Sequence, residues 1–251
     1  MYKRCIKYSL LIIAVISVLS SCDDNSRSLG SFQINLATVV SESDGAFYLL
    51  LDNGTKLWPA AADISYKPEN NQRVFVNYTI LSDKIGEYDN YIKINDMWNI
   101  LTKEAIELNA TNADSIGNDP IKINDIWVGG DYLNVSFMFN YGGIRPHAIN
   151  LVKNTLEQEE DNETIELEFR HNSYDSSENR LYEGFVCFDL KPFRKNEVDS
   201  VKLSIKTLEW TDSGSTEGKE ITHDVIYRYN QPAIRSISEV PMPVISSSEY
   251  Y

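Results

Sequence analysis

Ala46-Phe-Tyr-Leu-Leu-Leu51, then Asp52-Asn53-Gly54, then Thr55-Lys-Leu-Trp58 reads as two short strands folded back on each other. Asn and Gly tolerate the positive φ of a tight hairpin, and branched and aromatic residues suit a half-buried pleated surface. The same texture continues on both sides. Phe32–Val40 alternates upstream, and Arg73–Leu81 and Tyr91–Leu101 form two further runs downstream. Pro59 is expected to stop the third strand, with Ala60–Ile64 as a short helical turn. Five strands with a break after the third predict a small OB-like barrel.

Beyond the barrel the texture changes. Thr102-Lys-Glu-Ala-Ile-Glu-Leu108 is compatible with a helical turn, and Asn109–Pro120 is polar, Gly- and Pro-containing, and without apolar rhythm. The second half alternates again, in Ile121–Val128, Tyr132–Tyr141, Ala148–Val152, Thr164–Arg170, Leu181–Leu190, Val201–Trp210 and Ile221–Tyr229. Leu133, Val135, Phe137 and Phe139 share one strand face, as do Val201, Leu203 and Ile205. Polar turns such as Gly129-Gly130-Asp131 and Asp212–Ser215 separate the runs. The fold class is therefore all-β, an N-terminal OB-like five-stranded barrel followed by an antiparallel β-sandwich. The expected division is 1–21 signal peptide, 22–30 lipidated tether, 31–108 barrel, 109–120 linker, 121–235 sandwich and 236–251 loosely ordered tail.

Ile92-Lys-Ile-Asn-Asp-Met-Trp98 is echoed in Ile121-Lys-Ile-Asn-Asp-Ile-Trp127. The echo fits two similarly alternating strands at the domain junction, and it also fits a copied ligand site.

The leader has the parts of a secretory signal in order. Lys3, Arg4 and Lys7 precede an apolar run from Leu10 to Leu19, too short for a membrane span. Leu19-Ser20-Ser21-Cys22 resembles a lipobox, so Cys22 is expected to be acylated and to hold the protein in the membrane. Asp23–Ser28 reads as a polar tether, and its two acidic residues also fit a surface-export signal.

The chain has 23 basic and 37 acidic residues. Three of the basic ones lie in the leader, which leaves 20 against 37, a formal charge of −17. Such a chain repels phosphate backbones, so nucleic acid is excluded as an expected partner. Of three cysteines, Cys5 leaves with the leader and Cys22 is acylated. Cys187, flanked by Val186 and Phe188, reads as a buried core residue rather than a catalytic thiol, and no internal disulfide is expected.

No catalytic, cofactor or metal signature emerges. His147, His171 and His223 stand in separate segments without ligand spacing. Glu157–Glu163 lacks the spacing of a calcium loop and reads as a solvated turn, although its carboxylates leave calcium open. There is no nucleophile elbow or phosphate loop. Binding surfaces are the better prospect. Trp58, before a proline at a strand end, is the best exposed aromatic; Tyr88 and Tyr91, in Tyr88-Asp-Asn-Tyr91, form a polar aromatic loop. Trp98, Trp127 and Trp210 are expected to fill cores.

The lipobox, the strand-rich half with the Asn53-Gly54 hairpin, the linker, and the strand-rich half with Gly129-Gly130-Asp131-Tyr132-Leu133 together resemble the NigD-like lipoproteins. The resemblance implies an N-terminal OB domain and a C-terminal β-sandwich, and a link to bacteriocin gene clusters. It brings no catalytic motif and no site residue. The expected function is a non-enzymatic binding module for an envelope protein or glycan, held at the outer membrane on its periplasmic or cell-surface face. The alternatives are a glycan hydrolase with paired carboxylates and a bacteriocin-associated protective protein.

Overall fold

A computed structural model of the chain describes residues 31–142, 145–155, 164–176, 180–211, 217–229 and 250–251. The leader, Cys22, the tether, the acidic run 157–163 and the tail up to 249 lie outside the described residues.

Strands β1 (Gln33–Ser41), β2 (Phe47–Leu51), β3 (Lys56–Ala62), β4 (Arg73–Ser82) and β5 (Asn90–Asn99) close into a barrel in the order β1-β2-β3-β5-β4. The hairpin after β2 forms where it was expected. Gly54 takes φ +86°, its N–H donates to the Leu51 carbonyl at 2.9 Å, and the Asn53 carboxamide accepts the Thr55 N–H at 3.0 Å. Alternation then places Leu49, Leu51 and Leu57 inside with Val39, Val76, Ile92 and Ile94, and turns Tyr48, Leu50 and Trp58 outward. Pro59 does not stop β3. The parallel pairing of β3 with β5 changes register between Pro59 and Ala61, so the missing N–H falls at an irregularity and Ala60–Ala62 continue as strand rather than helix.

The sandwich has two sheets. One runs in the order β14-β13-β11-β10-β7 and the other β6-β12-β9-β8. Its strands are β6 (Leu101–Glu104), β7 (Ile106–Leu108), β8 (Lys122–Gly129), β9 (Tyr132–Asn140), β10 (Ala148–Asn154), β11 (Thr164–Asn172), β12 (Leu181–Asp189), β13 (Ser200–Trp210) and β14 (Gly218–Arg228). Hairpin neighbours pair antiparallel. β6 on β12, β7 on β10, and β11 on β13 run parallel. Between the sheets, Leu133, Val135, Phe137 and Phe139 meet Leu151, Phe169, Leu203 and Ile205 in one apolar core.

Leu101–Leu108 is strand, not a helical turn, and belongs to the sandwich instead of closing the barrel. The chain leaves β5, crosses one sheet as β6 and enters the other as β7. Pairing with β12 and β10 outweighs the helical propensity of Lys-Glu-Ala. The segment expected as a linker packs as well. Helix α1 (Ala113–Ile116) buries Ile116 against Leu108 and Val152, and Asp119 accepts both the N–H and the hydroxyl of Ser173. The final two residues are docked rather than loose. Tyr250 is buried, its hydroxyl donates to the Phe185 carbonyl at 2.8 Å, and Tyr251 exchanges backbone hydrogen bonds with His147 and Ile149.

The repeated Ile-Lys-Ile-Asn-Asp motif encodes a β-bulge twice. The register slips past Asn95 in β5 and past Asn124 in β8, and each following Asp bonds the next N–H, at 2.8 Å for Asp96 and 2.9 Å for Asp125. One extra residue reverses the inward–outward phase of everything after it. Met97 therefore enters the barrel core, and Trp98 turns outward to 40% exposure, against the expectation that it fills a core. Trp127 is turned outward from the sandwich core in the same way, but the barrel covers it. Trp210 is buried as expected.

That covering is the domain interface. Leu36, Phe75 and Ile100 of the barrel pack on Trp127, Tyr132, Phe185 and Cys187 of the sandwich, with Phe75 and Phe185 edge to face at 5.0 Å. β12 is consequently buried on both faces, and Cys187 is fully enclosed. Within the apolar ring sits one ion pair. Arg73, fully buried, donates to both Asp52 oxygens at 2.6 and 3.0 Å, to Thr38 Oγ1 at 3.0 Å and to Asn134 Oδ1 at 3.2 Å. Its guanidinium carbon lies 4.7 Å from the centre of the Tyr132 ring. Gly129 has no room for a side chain, because a Cβ there would stand 2.0 Å from an Asp52 oxygen.

Removing one partner of a buried pair strands the other charge, which costs about 3–5 kcal/mol. Asp52→Ala is expected to lower the urea midpoint accordingly. Asp52→Leu combined with Arg73→Met is expected to cost less than either single change. A double variant as weak as the sum of the singles contradicts this reading.

Candidate functional site

The three aromatics selected from the sequence converge on the outside of the barrel. Trp58 on β3 faces outward because Leu57 faces in, and it lies beside Tyr91, its parallel partner on β5. Tyr88 arrives from the β4–β5 connection. The ring centres lie 4.7 Å apart for Trp58 and Tyr88, 6.5 Å for Trp58 and Tyr91, and 6.2 Å for Tyr88 and Tyr91. Tyr48 of β2 completes the group, 5.7 Å from Tyr88. Tyr48 does not stand out in the sequence as Trp58, Tyr88 and Tyr91 do. Its signal was its place in Ala46–Leu51, on the face opposite the inward leucines.

The roles within the group differ. Tyr88 is the hub, largely buried, and its hydroxyl donates to Glu42 Oε1 at 2.7 Å. Burial and the Glu42 carboxylate both push its pKa up, so the phenol stays protonated. This bond ties the β1–β2 connection to the β4–β5 connection across the barrel mouth. Trp58, Tyr91 and Tyr48 remain partly accessible and offer ring faces and hydroxyls. A polar rim surrounds them. Asp89 accepts the Lys56 N–H at 2.9 Å and lies 3.4 Å from Lys84, and Lys56 Nζ stands 5.3 Å over the Tyr48 ring. Aromatic faces inside a polar rim bind flat, partly apolar partners such as sugar rings or peptide side chains.

Two carboxylates, Asp89 at the patch and Glu209 in the sandwich, are poorly suited to acid catalysis. Asp89 is held below the ordinary carboxylate range, first by the Lys56 N–H. Glu209, buried between β13, β14 and β8, is opposed by burial, but bonds from Lys122, His223 and Thr207 outweigh it and keep the carboxylate ionised. A glycosidase acid needs the reverse, a raised pKa.

Cys187 is likewise unsuited to attack. Burial pushes its thiol up to about 11, against the pull of Arg73. The fold unites two histidines that the sequence kept apart. His147 Nδ1 and His171 Nε2 lie 2.9 Å from each other inside the sandwich, so they bond one another instead of converging on an ion. Among the described residues no three metal-type side chains converge.

A closed OB-type barrel fused to a β-sandwich, with a cluster of aromatic rings on the outside of the barrel, defines a class of two-domain all-β proteins. Family models describe the two halves in the same terms. Residues 36–100 match the NigD-like N-terminal OB domain and residues 104–221 the NigD-like C-terminal β-sandwich domain, so the chain belongs to the NigD-like family. The expectations of family and fold class are met. Among solved structures, a putative toxin-related protein from Parabacteroides distasonis is 37% identical, at TM-score 0.68 over 80% of this chain and 95% of its own. A protein of unknown function from Bacteroides vulgatus is 29% identical, at TM-score 0.68 over 87% and 98%. A NigD-like immunity protein from Bacteroides caccae shares the fold at TM-score 0.62 and 22% identity, over 76% and 92%. No curated protein matches the chain.

The imidazole pair sets a pH dependence. Burial brings both groups from 6.5 to about 4, His171 adding to the effect on His147 and Asp119 opposing it for both. Between those values the unfolded chain binds protons that the folded chain does not. Stability is thus full above pH 6.5 and falls as pH drops towards 4. Urea midpoints are expected to decline from about pH 7 to about pH 4.5, and to decline less in a His147→Gln/His171→Gln variant. Parallel curves for the two proteins contradict this assignment.

Proposed function

We propose that this chain is a lipid-anchored cell-envelope protein that acts by binding rather than catalysis, with the outer aromatic face of its barrel as the recognition surface. The observation that carries the reading is the convergence of Tyr48, Trp58, Tyr88 and Tyr91 from three strands and a loop into one patch. Four large rings on the outside of a small barrel, where alternation favours polar residues, have no role in its core. OB barrels commonly bind through this same strand face and these loops. The partner class is an envelope glycan or protein.

The leader supports the address. Lys3 to Leu19 followed by Leu19-Ser20-Ser21-Cys22 would send the chain out of the cytoplasm and anchor it at the outer membrane, facing the periplasm or the cell surface. Alkynyl-palmitate labelling of cells is expected to mark the wild type and not Cys22→Ala; equal labelling would remove the anchor from the proposal.

A second reading, a protective or accessory protein acting against a toxin, draws on the 37% identity to a protein described as putatively toxin-related. It requires the same surface, with a toxin as the protein partner.

The binding proposal is tested by titrating the protein with envelope polysaccharide and envelope protein fractions while following tryptophan fluorescence. Trp58→Ala and Tyr91→Ala are each expected to weaken the active fraction's binding about tenfold, equivalent to about 1.4 kcal/mol, without moving the thermal transition of the fold. Unchanged affinity in both variants overturns the assignment of the surface.

A further inference from the structure

The outward face of the barrel continues past the aromatic patch. Val40 on β1 stands directly across from Tyr48 on β2, and Thr38 across from Leu50. The row of outward side chains therefore runs from the rings towards the sandwich, where Val40 and Leu50 form one wall of a cleft of about 370 Å³. The opposite wall belongs to the sandwich. Tyr132 contributes from the start of β9, Lys191 and Arg194 from the segment after β12, and Arg228 from the end of β14.

Three cations on one wall are unusual in a chain of formal charge −14, and their partners show which is unmatched. Arg194 is paired with Asp131 at 2.5 Å and also donates to the Tyr227 hydroxyl at 2.8 Å. Lys191 is paired with Asp189 at 3.3 Å. Arg73, behind Tyr132, is paired with Asp52. Among the described residues Arg228 has no carboxylate partner. Among the described residues each other charge lining the cleft is paired, which leaves one surplus positive charge, on a guanidinium whose planar fork suits a carboxylate or sulfate.

We infer that this cleft is an anion-binding subsite that takes the carboxylate or sulfate of an acidic sugar, whose neighbouring rings lie along the barrel face towards Tyr48 and Trp58. The inference rests on the binding reading above and deepens it, by naming acidic oligosaccharides as the ligand class. The wall chemistry suits such a ligand. Val40 and Leu50, half-buried on the barrel wall, meet the apolar face of a pyranose, while Arg228, with the unused donors of Arg194 and Lys191, meets its charged group. The site lies between two domains, where ligand pockets are favoured. It is also open to solvent, so binding is expected to weaken steeply with salt.

The test uses amide NMR of the protein with four probes: inorganic sulfate, trigalacturonate, maltotriose and a tri-aspartate peptide. Gly54, Asn71 and Gly130, which border the cleft, report on it. Sulfate and trigalacturonate are expected to shift these amides, and maltotriose to leave them in place. Arg228→Gln is expected to weaken trigalacturonate about tenfold, and Arg228→Glu to abolish its shifts; Arg228 is exposed and either variant should fold. Trp58→Ala is expected to leave the sulfate response intact, which separates failure of the aromatic surface from failure of the cleft. Cleft amides unmoved by sulfate and trigalacturonate, or an Arg228→Gln titration matching the wild type, overturn the anion site. A tri-aspartate response stronger than that of trigalacturonate overturns the sugar assignment in favour of an acidic peptide.

Discussion

The buried pair Arg73–Asp52 is the constraint around which the two domains are arranged. Both residues lie at the ends of barrel strands, yet the pair is completed by the sandwich. Asn134 supplies a further acceptor, the Tyr132 ring lies under the guanidinium, and Gly129 gives up its side chain to let the carboxylate approach. A guanidinium this deeply enclosed is costly unless its donors are met, and here each domain meets some of them. Burial works against its charge and Asp52 outweighs that effect. Separating the domains would expose the apolar ring of Leu36, Phe75, Trp127 and Phe185 and take Asn134 and Tyr132 away from the pair. The arrangement favours a docked interface over a hinge.

The proposed recognition surface depends on that docking. The barrel alone offers an aromatic patch, and the sandwich alone offers a basic rim. Docked, they form one surface, with the rings at one end and Arg228 at the other. The crossing segment Leu101–Leu108 reinforces the union, because the chain that leaves the barrel is woven at once into both sandwich sheets. Partner binding through such a surface needs no moving part, and its preorganisation lowers the entropic cost of recognition.

Much of the fold was legible because period-two alternation is a local signal. The hairpin at Asp52–Gly54 and the inward rows of β9 and β13 were visible residue by residue. What failed did so where tertiary pairing overruled local preference. Lys-Glu-Ala in Leu101–Leu108 favours a helix until β10 and β12 offer edges. Pro59 stops a strand unless a bulge absorbs it. Trp98 should face inward by counting twos, and the Asn95 bulge reverses the count. The same bulge in β8 was visible only as an unexplained repeat. Of the aromatic patch, Trp58, Tyr88 and Tyr91 stood out by residue type and turn context, whereas Tyr48 was hidden in an apolar run. The cleft had no sequence signature, since Val40, Lys191 and Arg228 are brought together only by docking. The contact of Asp52-Asn-Gly with Gly129-Gly-Asp131, two turns each visible alone, is what assembles it.

Barrel and sandwich form one docked body, and the proposed recognition surface spans both. Residual dipolar couplings from backbone amides of the weakly aligned protein test it most directly. A single alignment tensor should fit strands β1–β5 and β6–β14 together, with the couplings of Gly54 and Gly130 obeying the same fit. Two distinct tensors, or one domain with scaled-down couplings, would show the domains moving independently. The surface that spans them would then not exist as a fixed site.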